Sequence, residues 1–115
     1  MATHRDLEVW RRAHALTVQI YGLTEGRARQ RAPHVVSQLR RAIGSIPANI
    51  AEGRDQPTKP QFRRYLAMAI GSANEADSHV ALLLDLKLLD AQSGCDVLDE
   101  LAVIRRMLLA LQKSV

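Results

Sequence analysis

Apolar residues recur at steps of three and four along almost the whole chain, and four separate stripes of this kind predict four amphipathic helices. The first runs from about Asp6 to Thr24, with Val9, Ala13, Leu16, Ile20 and Leu23 on one face and Trp10, Thr17 and Tyr21 beside it. Two adjacent stripes imply two buried contacts. The second helix spans about His34 to Glu52 and is carried by Val36, Leu39, Ile43, Ile46 and Ile50. The third, about Lys59 to Leu88, alternates steps of four and three through Phe62, Leu66, Ala69, Ala73, Ala76, Val80 and Leu83. A repeat held that long favours lengthwise packing at a shallow crossing angle. The fourth, about Ala91 to Lys113, is striped by Val97, Leu101, Ile104, Leu108 and Leu111, with Val115 just beyond.

Polar punctuation separates the stripes. Glu25 to Pro33 holds Gly26, a proline and three arginines and reads as an exposed connection, and Gly53 to Thr58 reads as the next turn. Thr58 and Gln61 resemble a capping box, with Pro60 tolerated in the first turn. Asp90 can cap the fourth helix, whose first turn Gly94 weakens. No strand pattern appears, so the fold class is all-α, an up-and-down antiparallel four-helix bundle forming a single domain over residues 1–115.

Pro47 breaks a local rule. Its ring removes one backbone donor, crowds the carbonyl of Ile43 and costs about 3 kcal/mol in a straight helix interior, which predicts a kinked second helix. Asn49 and Glu52 follow, and Gly53 is expected as the C-terminal stop.

The apolar positions exceed what one small bundle needs. Leu82, Leu84, Leu88 and Leu89 supplement the third stripe, and Leu98 and Leu109 lie off the fourth. Between Ala67 and Ala76 the third helix is almost all small residues, so another helix can approach closely, either within the bundle or from a neighbouring subunit.

Net charge is +4, but it is unevenly divided: residues 1–64 hold twelve Lys and Arg against five Asp and Glu, a net of +7, while residues 65–115 net −3. Such asymmetry suits a polyanion, or complementary faces that pair within or between chains. One cysteine, Cys95, forms no intramolecular disulfide, and no apolar run reaches membrane-spanning length. Residues 1–6 lack the basic-then-apolar order of a signal peptide, so the cytoplasm is the expected location. Four-helix di-iron sites need two Glu-x-x-His motifs, and none occurs; His4, His14, His34 and His79 are scattered. No phosphate-binding loop, Cys-x-x-Cys or nucleophile elbow is present, so neither catalysis nor a metal or cofactor is expected.

Several segments together carry a resemblance: Asp6-Leu7-Glu8-Val9-Trp10 with Ala13-His14, the pair Arg40-Arg41, the run Ser45 through Gly53, and Phe62-Arg63-Arg64-Tyr65-Leu66 leading to Ala69-Ile70-Gly71-Ser72 and Glu75. In that order and spacing the chain resembles the bacterial four-helix bundle family named after proteins encoded in intervening sequences of 23S ribosomal RNA genes. It departs from the pattern at Glu75-Ala76-Asp77 and in a short, arginine-rich first connection. The resemblance implies a left-handed bundle assembled as a homo-oligomer, a pentamer in the arrangement associated with the family, without enzymatic activity. The family is also similar to the accessory protein of diversity-generating retroelements, a basic five-membered barrel that binds nucleic acid and a reverse transcriptase.

Two site expectations follow. Around the proline, Pro47, Asn49, Glu52, Gly53, Arg64, Ser72 and Glu75 are expected to form a structural motif, with Asn49, Glu52, Arg64 and Ser72 or Glu75 joined in a polar network. On the surface, Arg11, Arg12, Arg27, Arg29, Arg31, Arg40 and Arg41 are expected to neutralise the phosphates of RNA or DNA. The four aromatics, Trp10, Tyr21, Phe62 and Tyr65, are expected in or near the core, so base stacking is not provided for. A protein-interaction scaffold that docks an acidic partner is the other reading of the same charge.

Overall fold

The computed structural model describes residues 2–115, and among them there is no strand. Five α-helices follow a short 3-10 turn at His4–Asp6: α1 (Glu8–Leu23), α2 (Arg27–Arg31), α3 (Pro33–Arg54), α4 (Lys59–Asp85) and α5 (Ala91–Ser114). The four long ones lie lengthwise in a rod of 44 × 21 × 19 Å. α3 packs against α1 and α4, and α5 against α4 and α1, so helices consecutive around the bundle are the long ones consecutive in the chain. That is the expected up-and-down arrangement.

Each predicted stripe is the buried face of its helix. Leu16, Ile20, Leu39, Ile43, Ile46, Ile50, Leu66, Leu83, Leu101, Ile104 and Leu108 are all fully buried. The small residues of α4 divide: Ala69, Ala73 and Ala76 are buried in the bundle, while Ala67 and Gly71 face outward. Among the extra leucines, Leu89 is buried and Leu84, Leu88 and Leu98 pack against the core, which leaves Leu82 and Leu109 exposed.

The caps follow local chemistry. Asp90 accepts from the Ser93 amide at 2.9 Å, and that bond holds its carboxyl below the usual range. Thr58 accepts from the Gln61 amide at 3.3 Å, but its hydroxyl donates to the Gln61 side chain, so the box is only half formed. A complete box instead closes the 3-10 turn, through Thr3 and Asp6. At the end of α4, Lys87 takes φ 59°, the Lys87 amide donates to Leu84 O at 3.0 Å and the Leu88 amide to Leu83 O at 2.9 Å. This Schellman closure stops α4 at Asp85, short of the expected Leu88.

Gly53 does not end its helix. α3 continues to Arg54, and no described glycine has positive φ. Gly53 is buried where α3 meets α4: a Cβ there would stand 2.6 Å from the Tyr65 Cβ and 3.0 Å from Phe62 Cδ1. The glycine serves close helix approach, not a turn. Gly94 does the same for α5, lying directly against the Leu84 side chain. The expected open connection before α3 also differs, because Ala28 is buried and draws residues 27–31 into the short helix α2.

Pro47 sits inside a continuous α3. Its lost amide leaves the Ile43 carbonyl without the usual donor, and the Thr17 hydroxyl from α1 approaches that oxygen to 3.3 Å.

Candidate nucleic-acid interface

The seven arginines expected to meet phosphate have different fates. Arg12, on α1, lays its Nε and Nη2 on both oxygens of Glu100 of α5, at 2.9 and 2.7 Å. The Glu100 carboxylate, with Glu8 adding a weaker contribution, raises the Arg12 pKa. This fork ties the first helix to the last and takes Arg12 out of the free set. Arg11 is exposed and donates to the Arg5 carbonyl at 2.7 Å.

Arg40 is an internal clamp. Only 15% of its side chain is exposed, and its guanidinium lies 4.4 Å from the centre of the Tyr21 ring. Nε donates to the buried Thr24 hydroxyl at 3.0 Å, and Nη2 donates to the Tyr21 carbonyl at 3.2 Å and to Glu25 at 3.0 Å. A cation therefore sits on the last turn of α1, where the helix leaves carbonyls without donors. Glu25 also pairs with Arg29 at 2.7 Å, and hydrogen bonding by Arg40, followed by the charge of Arg29, holds its carboxyl below the usual range.

Arg41 bridges α3 to α4 through Glu75, braced by Gln38; His79 lies 3.3 Å from the same Glu75 oxygen. Arg27 and Arg31 of α2 are exposed, and among the described residues neither side chain has a hydrogen bond or ion pair. The expected set is thus part scaffold, with Arg12 and Arg40 committed to holding helices together.

Three of the seven nevertheless converge. Arg29, Arg40 and Arg41 line a cleft of about 540 Å³ with Tyr21, Pro33, Val36 and Ser37, and neither Glu25 nor Glu75 lines it. Tyr21 is a correction: it is 48% exposed and belongs to this cleft, not to the core. It follows Ile20 directly, which turns it about 100° from the centre of the buried face. That offset was the available signal, but it was outweighed by the general preference of aromatics for burial.

The motif around Pro47 also assembles differently from expectation. Ser45 donates to Ala42 O at 2.7 Å and meets the Ser72 hydroxyl of α4 at 2.6 Å, while Asn49 Nδ2 donates to Ser45 O at 2.9 Å. Glu75 belongs to the separate Arg41 group. Glu52 and Arg64 are exposed, and neither side chain joins either group. Ser45, absent from the expected network, is its centre, because its position on α3 faces Ser72 of α4.

The sequence profile of the 23S rRNA-intervening sequence proteins matches residues 5–110 of this chain. The chain belongs to that family. Among solved structures, it is similar to a protein of unknown function from the S23 ribosomal protein family of Bacteroides thetaiotaomicron VPI-5482, with 21% identity and a TM-score of 0.84. That alignment covers 91% of this chain and 98% of the other, and it bears on the fold alone. No curated protein matches. No described helix of the chain is long and apolar enough to cross a membrane.

Proposed function

We propose that the protein is a non-enzymatic, oligomeric bundle that binds the phosphate backbone of RNA or DNA in the cytoplasm. The observation that carries this reading is the convergence of Arg29, Arg40 and Arg41 on one cleft; Arg27 and Arg31 of α2 are exposed and unpaired but do not line it. Three guanidinium groups line the cleft against the two carboxylates of Glu25 and Glu75 that pair with them, so a net positive field meets an approaching phosphate. Arg27 and Arg31 need break no existing bond to contact it, and Arg29 gives up only an exposed pair with Glu25.

Oligomerisation, for which the resemblance favours a pentamer, is supported by the outer face of α4. Met68, Leu82 and Leu86 are exposed at heptad-like spacing, with the small exposed residues Gly71 and Ser78 between them leaving room for a neighbouring helix. A ring of identical subunits repeats the arginine cleft and multiplies weak contacts. The same apolar face is also the observation that favours the second reading, a protein-interaction scaffold.

The test is fluorescence anisotropy of labelled structured RNA and duplex DNA across salt, together with light-scattering mass. Three to five neutralised phosphates predict a slope of log K on log salt of about −2.7 to −4.5 for duplex DNA. Absence of binding at low salt, or binding indifferent to salt, rejects the nucleic-acid reading, and a monomeric mass rejects the oligomer.

A further inference from the structure

We infer that the arginine cleft accommodates an unpaired nucleotide, its base stacked on the ring of Tyr21 and its phosphate held by Arg29 and Arg41. This rests on the phosphate-binding reading and narrows the ligand to single-stranded or extruded nucleotides.

The ring is both available and fixed. Tyr21 is 48% exposed and lines the cleft, while Arg40 covers it at 4.4 Å from one side. Arg40 is itself pinned by Thr24, Glu25 and the Tyr21 carbonyl, so the aromatic platform is held before any ligand arrives. A platform ordered in advance loses little entropy on binding. Pro33 supplies an apolar wall, and Ser37 a hydroxyl within the same cleft.

Size and chemistry agree with one nucleotide. A volume of about 540 Å³ lies in the range of small-molecule sites, which span roughly 300–1,000 Å³. Duplex bases have both faces covered by their neighbours, so only an unpaired or flipped base can present a face to Tyr21. Duplex backbone has no use for an aromatic wall. The arrangement of one exposed ring among arginines is that of a stacking platform in a basic groove.

The experiment compares three ligands on the full-length protein: a ten-residue oligoadenylate, a ribose-phosphate oligomer of equal length without bases, and a duplex of equal length. Oligoadenylate is expected to bind about tenfold more tightly than the abasic oligomer, the scale of one stacked base. Tyr21→Leu, which keeps bulk beneath Arg40, is expected to reduce oligoadenylate to the abasic affinity and leave the abasic affinity unchanged; Tyr21→Phe is expected to retain the full difference. Equal, measurable binding of oligoadenylate and abasic oligomer overturns the stacking inference while leaving the phosphate reading intact. A duplex bound more tightly than oligoadenylate also overturns it, as does a Tyr21→Leu protein that keeps the difference. Failure of all three ligands to bind removes the phosphate reading itself.

Discussion

The Thr17 hydroxyl of α1 lies 3.3 Å from the carbonyl oxygen of Ile43 on α3, the acceptor that Pro47 cannot serve. It shares its proton with Ala13 O at 2.8 Å in its own helix. A half-buried threonine on one helix thus repairs the hydrogen-bond gap in another, and Pro47 can remain inside an unbroken α3.

Thr17→Val keeps the shape and removes the donor. It is expected to destabilise the protein by about 1 kcal/mol in urea unfolding. Pro47→Ala restores an amide for Ile43, so the Thr17→Val loss should shrink in that background. Equal losses in both backgrounds would show that the bond carries no weight.

Two glycines should respond in opposite directions to alanine. Gly53→Ala drives a Cβ against Tyr65 Cβ, which moves only with its backbone, and a loss of about 1–3 kcal/mol is expected. A Cβ at Gly22 meets nothing within 4 Å, so Gly22→Ala should gain up to about 1 kcal/mol from helix propensity. Thermal melts of the two variants shifting the same way would contradict this account.

Lys87 occupies the left-handed conformation in which a Cβ is unfavourable. Lys87→Gly is therefore expected to raise stability by about 0.5–1 kcal/mol, with α4 still ending at the same place. A lower Tm would mean that the lysine stem makes a compensating contact.

Acid should weaken the fold through Glu25 and Asp90, whose carboxyls are held below their ordinary values by Arg40 and Arg29 and by the Ser93 amide, respectively. A folded-state pKa below the unfolded one means the stabilisation is fully present above about pH 5 and is lost as pH falls through the lowered values. Tm measured between pH 7 and pH 2 should fall less steeply in Glu25→Gln and Asp90→Asn than in the wild type. Unchanged acid limbs in both variants would show that these contacts are not linked to folding.

Arginine roles should separate cleanly. Arg12→Ala breaks the Glu100 fork and should lower Tm while leaving nucleic-acid affinity unchanged. Replacing Arg27 and Arg31 together should leave Tm unchanged and flatten the salt slope by about 2. The reverse pattern would place the phosphate contacts on α1 instead.

Much of the architecture was readable without coordinates because it depends on local order. The stripe from Leu66 to Leu83 sets the buried face of α4, and Asp90 marks the start of α5, through interactions reaching only three or four residues. Gly53 was misleading for the same reason: its local appearance is that of a helix stop, whereas its burial is decided by Phe62 and Tyr65. The polar centre at Ser45 was equally hidden, since Ser72 is 27 positions away.

The sequence alone determined four long amphipathic helices and the excess of positive charge in the first half of the chain. Those properties follow from helical periodicity, caps and composition. Only tertiary structure decided which arginines stay free. Arg12 meets Glu100 across 88 positions and Arg41 meets Glu75 across 34, pairings fixed by which helices are neighbours and how each is rotated. Long flexible side chains sample many directions, so a guanidinium's partner is chosen by the packed bundle after its helix has already formed.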